Sequence, residues 1–322
     1  IRVRDVTGVQ TCALPIYQKV VKGALAGALL TLTAAPLYAQ LPEHLRDYPL
    51  ATRGATGEAV APMFNGWIAR EDGSVTMMFG FANLNREAPV DVPLGPNNFI
   101  EPAQFDGGQP THFPVYSRGG FVGVQERGAF AVTVPADMAG TEVVWTLTAG
   151  GKTYSVPGRA TSTAYEMSDG ERALGSLKPA IRFNPNGPES TGSEGLYASQ
   201  ITTKVGAPVT LNAYVQDRGN RAAYPENERL LYPLGTEWLL HQGPAVPEFD
   251  QARITGRERA AEGGESAQAG SNGWTQVTTQ ATFPEPGEYV VRLRVDNFTA
   301  PDSQFDNVCC WSNAYVPVTV TE

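Results

Sequence analysis

Phe283-Pro284-Glu285-Pro286-Gly287-Glu288-Tyr289 leads into Val290-Val291-Arg292-Leu293-Arg294-Val295-Asp296-Asn297, and after a long polar stretch Tyr315-Val316-Pro317-Val318-Thr319-Val320 follows. Two prolines and a glycine among the first seven residues break a helix and favour a turn. Val290, Val291, Leu293 and Val295 then form an alternating apolar run that stops at Asp296-Asn297, and Tyr315, Val316, Val318 and Val320 resume it. Turn, strand, loop, strand is therefore the reading of residues 282–320. It sets the class expected of the whole chain, which is all-β.

The same unit extends upstream. Val209, Leu211, Ala213 and Val215 alternate towards a turn at Gln216-Asp217-Arg218-Gly219-Asn220, and Thr236-Glu237-Trp238-Leu239-Leu240 makes the next strand before His241-Gln242-Gly243-Pro244. The Pro-Gly turn, Tyr289 and the aliphatics ending at Asp296 resemble the penultimate strand of PKD-type and other immunoglobulin-like domains, and Trp238 with Gly243-Pro244 behind it resembles their third strand. Over residues 201–322 that resemblance implies a PKD-like β-sandwich, with Trp238 between the sheets and the Tyr289 hydroxyl bonded back to nearby backbone. The interval 253–272 has too few apolar residues to pack, and a mobile insertion between strands is expected there.

A first unit spans residues 58–166. Trp67-Ile68-Ala69, the Asp72-Gly73 turn and the alternation of Val75, Met77, Phe79 and Phe81 describe a hairpin. Strands follow at 129–134, 143–148 and 153–156, the last two joined at Gly150-Gly151, so a second β-sandwich is expected. Residues 167–200, rich in Gly, Pro, Ser and Asn, read as a linker between the two units.

The N-terminal 57 residues divide differently. Val6 to Ile16 resembles the in-frame translation of a sequencing-library adapter, so residues 1–16 are set apart from the fold. Lys19 and Lys22, an apolar core from Gly23 to Leu32 and Ala39 before Gln40 describe a secretory signal peptide over 17–39, too short to span a bilayer. Residues 40–57 form an N-terminal extension. The remaining chain is expected in the periplasm or outside the cell, with no membrane span.

Of 24 Lys and Arg, four precede residue 40, and of 33 Asp and Glu, one does; the 283 residues from Gln40 onward thus set 20 bases against 32 acids, a net −12. Such a balance disfavours nucleic acid, which needs clustered cations, and suits glycans or envelope proteins as partners.

Three groups of residues are candidates for sites. Pro- and Gly-rich loops bring Asn97, Asn98, Asp106, Gln109 and His112 near Phe113 and Tyr116, amides and a carboxylate beside rings, as a sugar-binding surface would have; the alternative is a long loop satisfying its own backbone. In an immunoglobulin-like order, Asp217, Asp296, Asp302 and Asp306 fall at one end of the second sandwich, hard oxygen ligands of the kind calcium takes. Adjacent Cys309 and Cys310 would close an eight-membered vicinal ring if oxidised. Gly108 to Phe113 and Cys309-Cys310-Trp311 also resemble segments of a group of exported bacterial proteins to which no activity is attached.

No nucleophile elbow, zinc-protease motif or phosphate loop occurs. The expected function is that of a non-catalytic exported protein that binds a surface glycan or a protein partner; a structural subunit of an envelope complex and a glycan-acting enzyme with a carboxylate pair are the alternatives. Reduction of the exported chain should raise its intact mass by about two daltons, mapped to the peptide holding Cys309 and Cys310. An unchanged mass, or a disulfide-linked dimer before reduction, would remove the ring.

Overall fold

The structure, a computed structural model, describes residues 54–115, 125–171, 175–219, 233–261, 273–297 and 310–322. The adapter-like segment, the signal peptide and nearly all of the N-terminal extension lie outside these residues, as do Tyr116, Asp302, Asp306 and Cys309. The described chain is almost entirely β, and among the described residues no helix is long and apolar enough to cross a membrane.

In the first unit β1 (Val60–Ala69), β2 (Val75–Asn83), β3 (Val90–Asp91), β4 (Asn98–Glu101), β5 (His112–Phe113), β6 (Gln125–Val134), β7 (Val143–Ala149) and β8 (Lys152–Gly158) form two three-stranded sheets, β1-β2-β6 and β4-β7-β8, and the short pair β3-β5. The β1–β2 hairpin turns at Gly73, whose φ of 82° is the left-handed conformation glycine adopts without cost. Phe79, Phe113 and Phe130 pack against Trp145, which is fully buried between the sheets, and Phe81 packs against Phe113. Phe130 meets Trp145 edge to face at 5.0 Å, a geometry worth about 0.5–1.5 kcal/mol beyond the area it buries. β4 lies inside the stretch expected to be irregular: Asn98 and Ile100 face inward there, so the Pro-rich sequence around them frames a strand.

The second unit is an immunoglobulin-like sandwich. Its strands are β9 (Ala180–Arg182), β10 (Ser190–Thr191), β11 (Ile201–Lys204), β12 (Val209–Gln216), β13 (Gly235–Gln242), β14 (Glu248–Phe249), β15 (Arg253–Ile254), β16 (Trp274–Thr282), β17 (Gly287–Asp296) and β18 (Trp311–Thr321). One sheet runs β10-β9-β12-β16-β14; the other runs β11-β18-β17-β13-β15, with β11 parallel to β18. Trp238 lies in the core between them, and the Tyr289 hydroxyl donates to the Glu285 carbonyl at 2.8 Å, the corner bond that the resemblance to immunoglobulin-like domains implied.

Two expectations need correction. The stretch read as a linker supplies β9 and β10, and β9 pairs with β12 because Ala180 and Ile181 are apolar enough to extend the sheet. Part of the expected insertion is ordered too. Ile254 is buried against β13, and α1 (Gly256–Ala261) begins with a capping box in which the Thr255 N–H donates to Glu258 Oε2 at 2.7 Å and the Glu258 N–H to Thr255 Oγ1 at 3.2 Å. Arg259 ties this turn to the Leu234 carbonyl at 3.0 Å.

The two units share a buried polar interface. Alternation turns Val291, Leu293 and Val295 into the second core and Arg292 and Arg294 to the opposite face, yet both arginines are only 1% exposed. They converge on Glu126 of β6, itself fully buried, Arg294 Nη1 donating to Glu126 Oε1 at 3.0 Å and Arg292 pairing with the same oxygen. Arg292 also donates to the Ala129 carbonyl, Arg294 to the Arg127 carbonyl at 3.2 Å and Asn313 Nδ2 to the Gly128 carbonyl at 2.8 Å. β6 is an edge strand of its sheet, and side chains of β17 and β18 satisfy its outer carbonyls. At Gly128, φ is +57° and a Cβ would stand 2.2 Å from the Trp311 ring nitrogen. Glu126→Gln should lower the unfolding free energy by about 3–5 kcal/mol in urea titration, since it removes the buried negative charge that both guanidiniums meet. Gly128→Val should separate the unfolding of the two units in calorimetry; a single unshifted transition in both variants would show that the interface contributes little.

Candidate functional site

The loop singled out around His112 is spent on the protein itself. Asn98 Nδ2 donates to the carbonyls of Val92 and Pro110 at 2.9 and 2.8 Å, while its Oδ1 accepts from Trp145 Nε1 at 3.0 Å. Gln109 Nε2 donates to Asp106 Oδ1 at 2.6 Å, and Asp106 Oδ1 also accepts the Ile100 N–H. His112 Nδ1 lies 2.7 Å from Asp91 Oδ1, and the Phe113 ring is fully buried against Phe81. Of the described members of that group, Asn97 and Asp106 are exposed; the others are enclosed. A sugar-binding surface needs open rings and unused amides, and burial of Asn98, Gln109 and Phe113 denies it both.

That loop instead grips the second unit. The Thr111 N–H donates to the His241 carbonyl at 2.8 Å, His241 Nε2 lies 2.9 Å from the Gly108 carbonyl, and Gln242 Nε2 donates to the carbonyls of Gly107 and Gln109 at 2.8 and 2.7 Å. The described residues between 162 and 196 meet both units as well, the Asn313 N–H donating to the Gly192 carbonyl at 2.9 Å. The Met167 N–H donates to the Trp67 carbonyl at 2.8 Å, Arg70 pairs with Asp169 and Glu194, and Asp169 pairs with Lys178. Burial lowers the Lys178 ammonium below its ordinary pKa against the opposing pull of Asp169.

At the end of the second sandwich, Gln216 pairs with Ala180, and the preceding Pro179 carbonyl accepts from Ser312 Oγ at 2.6 Å. This draws Asp217 and the start of β18 together, while Asp296 faces Trp311 across the β17–β18 ladder. Asp217 is buried and accepts the Gly219 N–H at 3.3 Å. Among the described residues no group of three metal-ligating side chains converges; Asp302 and Asp306 lie outside them. Cys310 is buried and disulfide-bonded, and its partner lies outside the described residues.

With the outer face of β13, β17 and β18 covered by the first unit, the outer face of β9, β12 and β16 is, among the described residues, an open surface of the second unit. The period-two pattern puts Thr210, Asn212, Tyr214 and Gln216 there, opposite Gln280, Thr278, Gln276 and Trp274. Asn212 Oδ1 accepts from Thr278 Oγ1 at 2.7 Å and Gln276 Nε2 at 3.4 Å, leaving its own amide N–H groups to solvent. Arg182, paired across the ladder with Tyr214, lays its guanidinium 3.7 Å from the centre of the Trp274 ring and 6.0 Å from that of Tyr214. The sequence reading missed this surface. Arg182 sits in the supposed linker, and β16 is rich in Thr and Gln, so only its β-branched residues and the Val277, Thr279, Ala281 alternation signal a strand.

No protein-family model matches the chain, and no curated protein matches its sequence. Among solved structures, the chain is similar to the ASH/PapD-like domain 7 of human CEP192, with 9% identity over 50% of this chain and 97% of that one, at a TM-score of 0.27. The D00-D0 domain of Intimin matches with 11% identity over 82% of this chain and 100% of that one, TM-score 0.25. The Yersinia pseudotuberculosis adhesin InvE matches with 9% identity over 83% of this chain and 60% of that one, TM-score 0.21. Likenesses this distant carry no conclusion about function.

His241 makes the interface sensitive to acid. Burial, then the nearby Arg292 charge, pull its pKa from 6.5 down to about 3, against weaker opposing effects of the Gly108 carbonyl and Glu126; the Tyr315 ring packs 5.0 Å away. The unfolded chain binds the proton that the folded chain refuses, so stability is full above pH 6.5 and falls as pH drops from 6.5 towards 3. The slope from this group approaches about 1.4 kcal/mol per pH unit. Urea titrations of the protein and of His241→Gln between pH 7 and 4 should converge at the acid end; parallel curves would remove His241 as the cause.

Proposed function

We propose that this chain is an exported, non-catalytic binding protein of the adhesion type, which recognises a surface glycan or a cell-envelope protein through the outer face of β9, β12 and β16. The observation that carries this reading is the division of the second sandwich's two outer faces. One is sealed under the first unit by Glu126, Arg292 and Arg294; the other presents amides, hydroxyls and two aromatic rings to solvent. A rigid base with one open face of hydrogen-bonding groups and rings suits adhesion, because little conformational entropy is lost on binding. The groups with strongly displaced protonation, His241 and Tyr315, are enclosed at the interface rather than open to a cleft, which fits a binding role better than acid–base chemistry.

Envelope fractions provide the test. The triple variant Asn212→Ala, Gln276→Ala, Thr278→Ala changes exposed side chains only, so its melting temperature should stay close to that of the unaltered chain. Its retention on envelope should fall about tenfold, a loss of about 1.4 kcal/mol. Periodate treatment of the envelope abolishes a glycan partner and protease treatment a protein partner. Equal retention of the variant and the unaltered chain would sink the proposed face.

A further inference from the structure

We infer that the Arg182–Trp274–Tyr214 cluster is a subsite for a carboxylate-bearing sugar, so that the glycan recognised is of the uronate class; this rests on the binding face proposed above. Charge is the first ground. The chain carries nine more acidic than basic residues, and Arg70, Arg159, Arg292 and Arg294 each meet a carboxylate. Arg182 has no carboxylate partner among the described residues. An unpaired guanidinium on an acidic protein is complementary to an anion from outside.

Preorganisation is the second ground. The Trp274 ring, its centre 3.7 Å from the Arg182 Cζ, packs against the guanidinium and restricts it, so less side-chain freedom is lost when its fork meets a carboxylate. Two parallel N–H donors then match two carboxylate oxygens.

The remainder of the face is the third ground. Beside Arg182, β12 and β16 hold Tyr214, Asn212, Gln276 and Thr278, none of them charged, and the part-exposed Tyr214 ring offers an apolar platform; the exposed Glu189, next in register after Ser190 and Ile181, forms no ion pair with Arg182. One cation among amides, hydroxyls and rings fits a polymer with one carboxylate and several hydroxyl groups per unit. A polyphosphate or nucleic acid would call for several clustered cations.

Calorimetric titration with oligogalacturonate and with a neutral glucan oligomer of equal length tests this on the full chain. The acidic oligomer should bind saturably, more weakly as salt rises. Arg182→Gln should weaken that binding at least tenfold without altering the melting temperature, and Arg182→Lys should restore only part of it, since a lysine keeps the charge and loses the planar fork. Trp274→Leu should weaken binding in the same direction. Absence of saturable binding to oligogalacturonate, or equal affinity in Arg182→Gln, overturns the inference. If the neutral oligomer then binds and the Asn212, Gln276, Thr278 variant abolishes it, the binding face survives and only the carboxylate assignment falls. If poly-glutamate alone binds in an Arg182-dependent manner, the partner is an acidic protein segment and the glycan subsite is overturned.

Discussion

A single carboxylate, Glu126, holds two guanidiniums inside the protein, and the arrangement of both sandwiches depends on it. Glu126 belongs to the first unit and Arg292 and Arg294 to the second, and all three are almost completely removed from water. Burying charge is costly unless every partner is present. Carbonyls of Ala129 and Arg127 take up guanidinium donors that Glu126 does not. A second cation beside Arg292 is unwelcome, which contributes to keeping His241 neutral and its ring packed against Tyr315.

The same constraint shapes the backbone around it. β6 must present its outer carbonyls at close range, so the chain passes through Gly128 in a left-handed conformation with no room for a side chain against Trp311. Gly80 serves the facing position of β2, where a Cβ would stand 2.1 Å from the Glu126 carbonyl and the ladder shifts register. Met167, Asp169, Lys178, Gly192 and Glu194 join the units with ion pairs and backbone hydrogen bonds. A polar interface of this kind is directional: it fixes one orientation of two sandwiches more narrowly than an apolar contact of equal area would. The consequence for function is geometric. One outer face of the immunoglobulin-like unit is consumed and its opposite is presented outward.

Much of the fold was legible in the residues. The period-two runs around Leu211, Trp238, Val291 and Val316, the Asp72-Gly73 turn and the Pro286-Gly287 corner encode strands and turns locally, because side-chain alternation and glycine conformations act over a few residues. Thr255 and Glu258 carried a readable helix start that the low apolar content of that interval concealed. The candidate surface was not legible. Arg182 and Trp274 are about ninety residues apart, and only the pairing of β9 and β16 with β12 stacks one on the other.

The amino-acid order by itself determined the all-β class and two sandwiches through short-range periodicity and turn chemistry, and its resemblance to immunoglobulin-like domains implied the tyrosine corner. Tertiary structure alone decided which outward faces meet water. Alternation assigns Arg292, Arg294 and Asn212 alike to a strand's second face, and nothing local distinguishes them. A carboxylate about 170 residues from the two arginines, at Glu126, makes burial of that face favourable. It was likewise the fold that withdrew Asn98, Gln109 and Phe113 from solvent, since the loop that displays them in sequence is clamped by its own side chains and by His241 and Gln242.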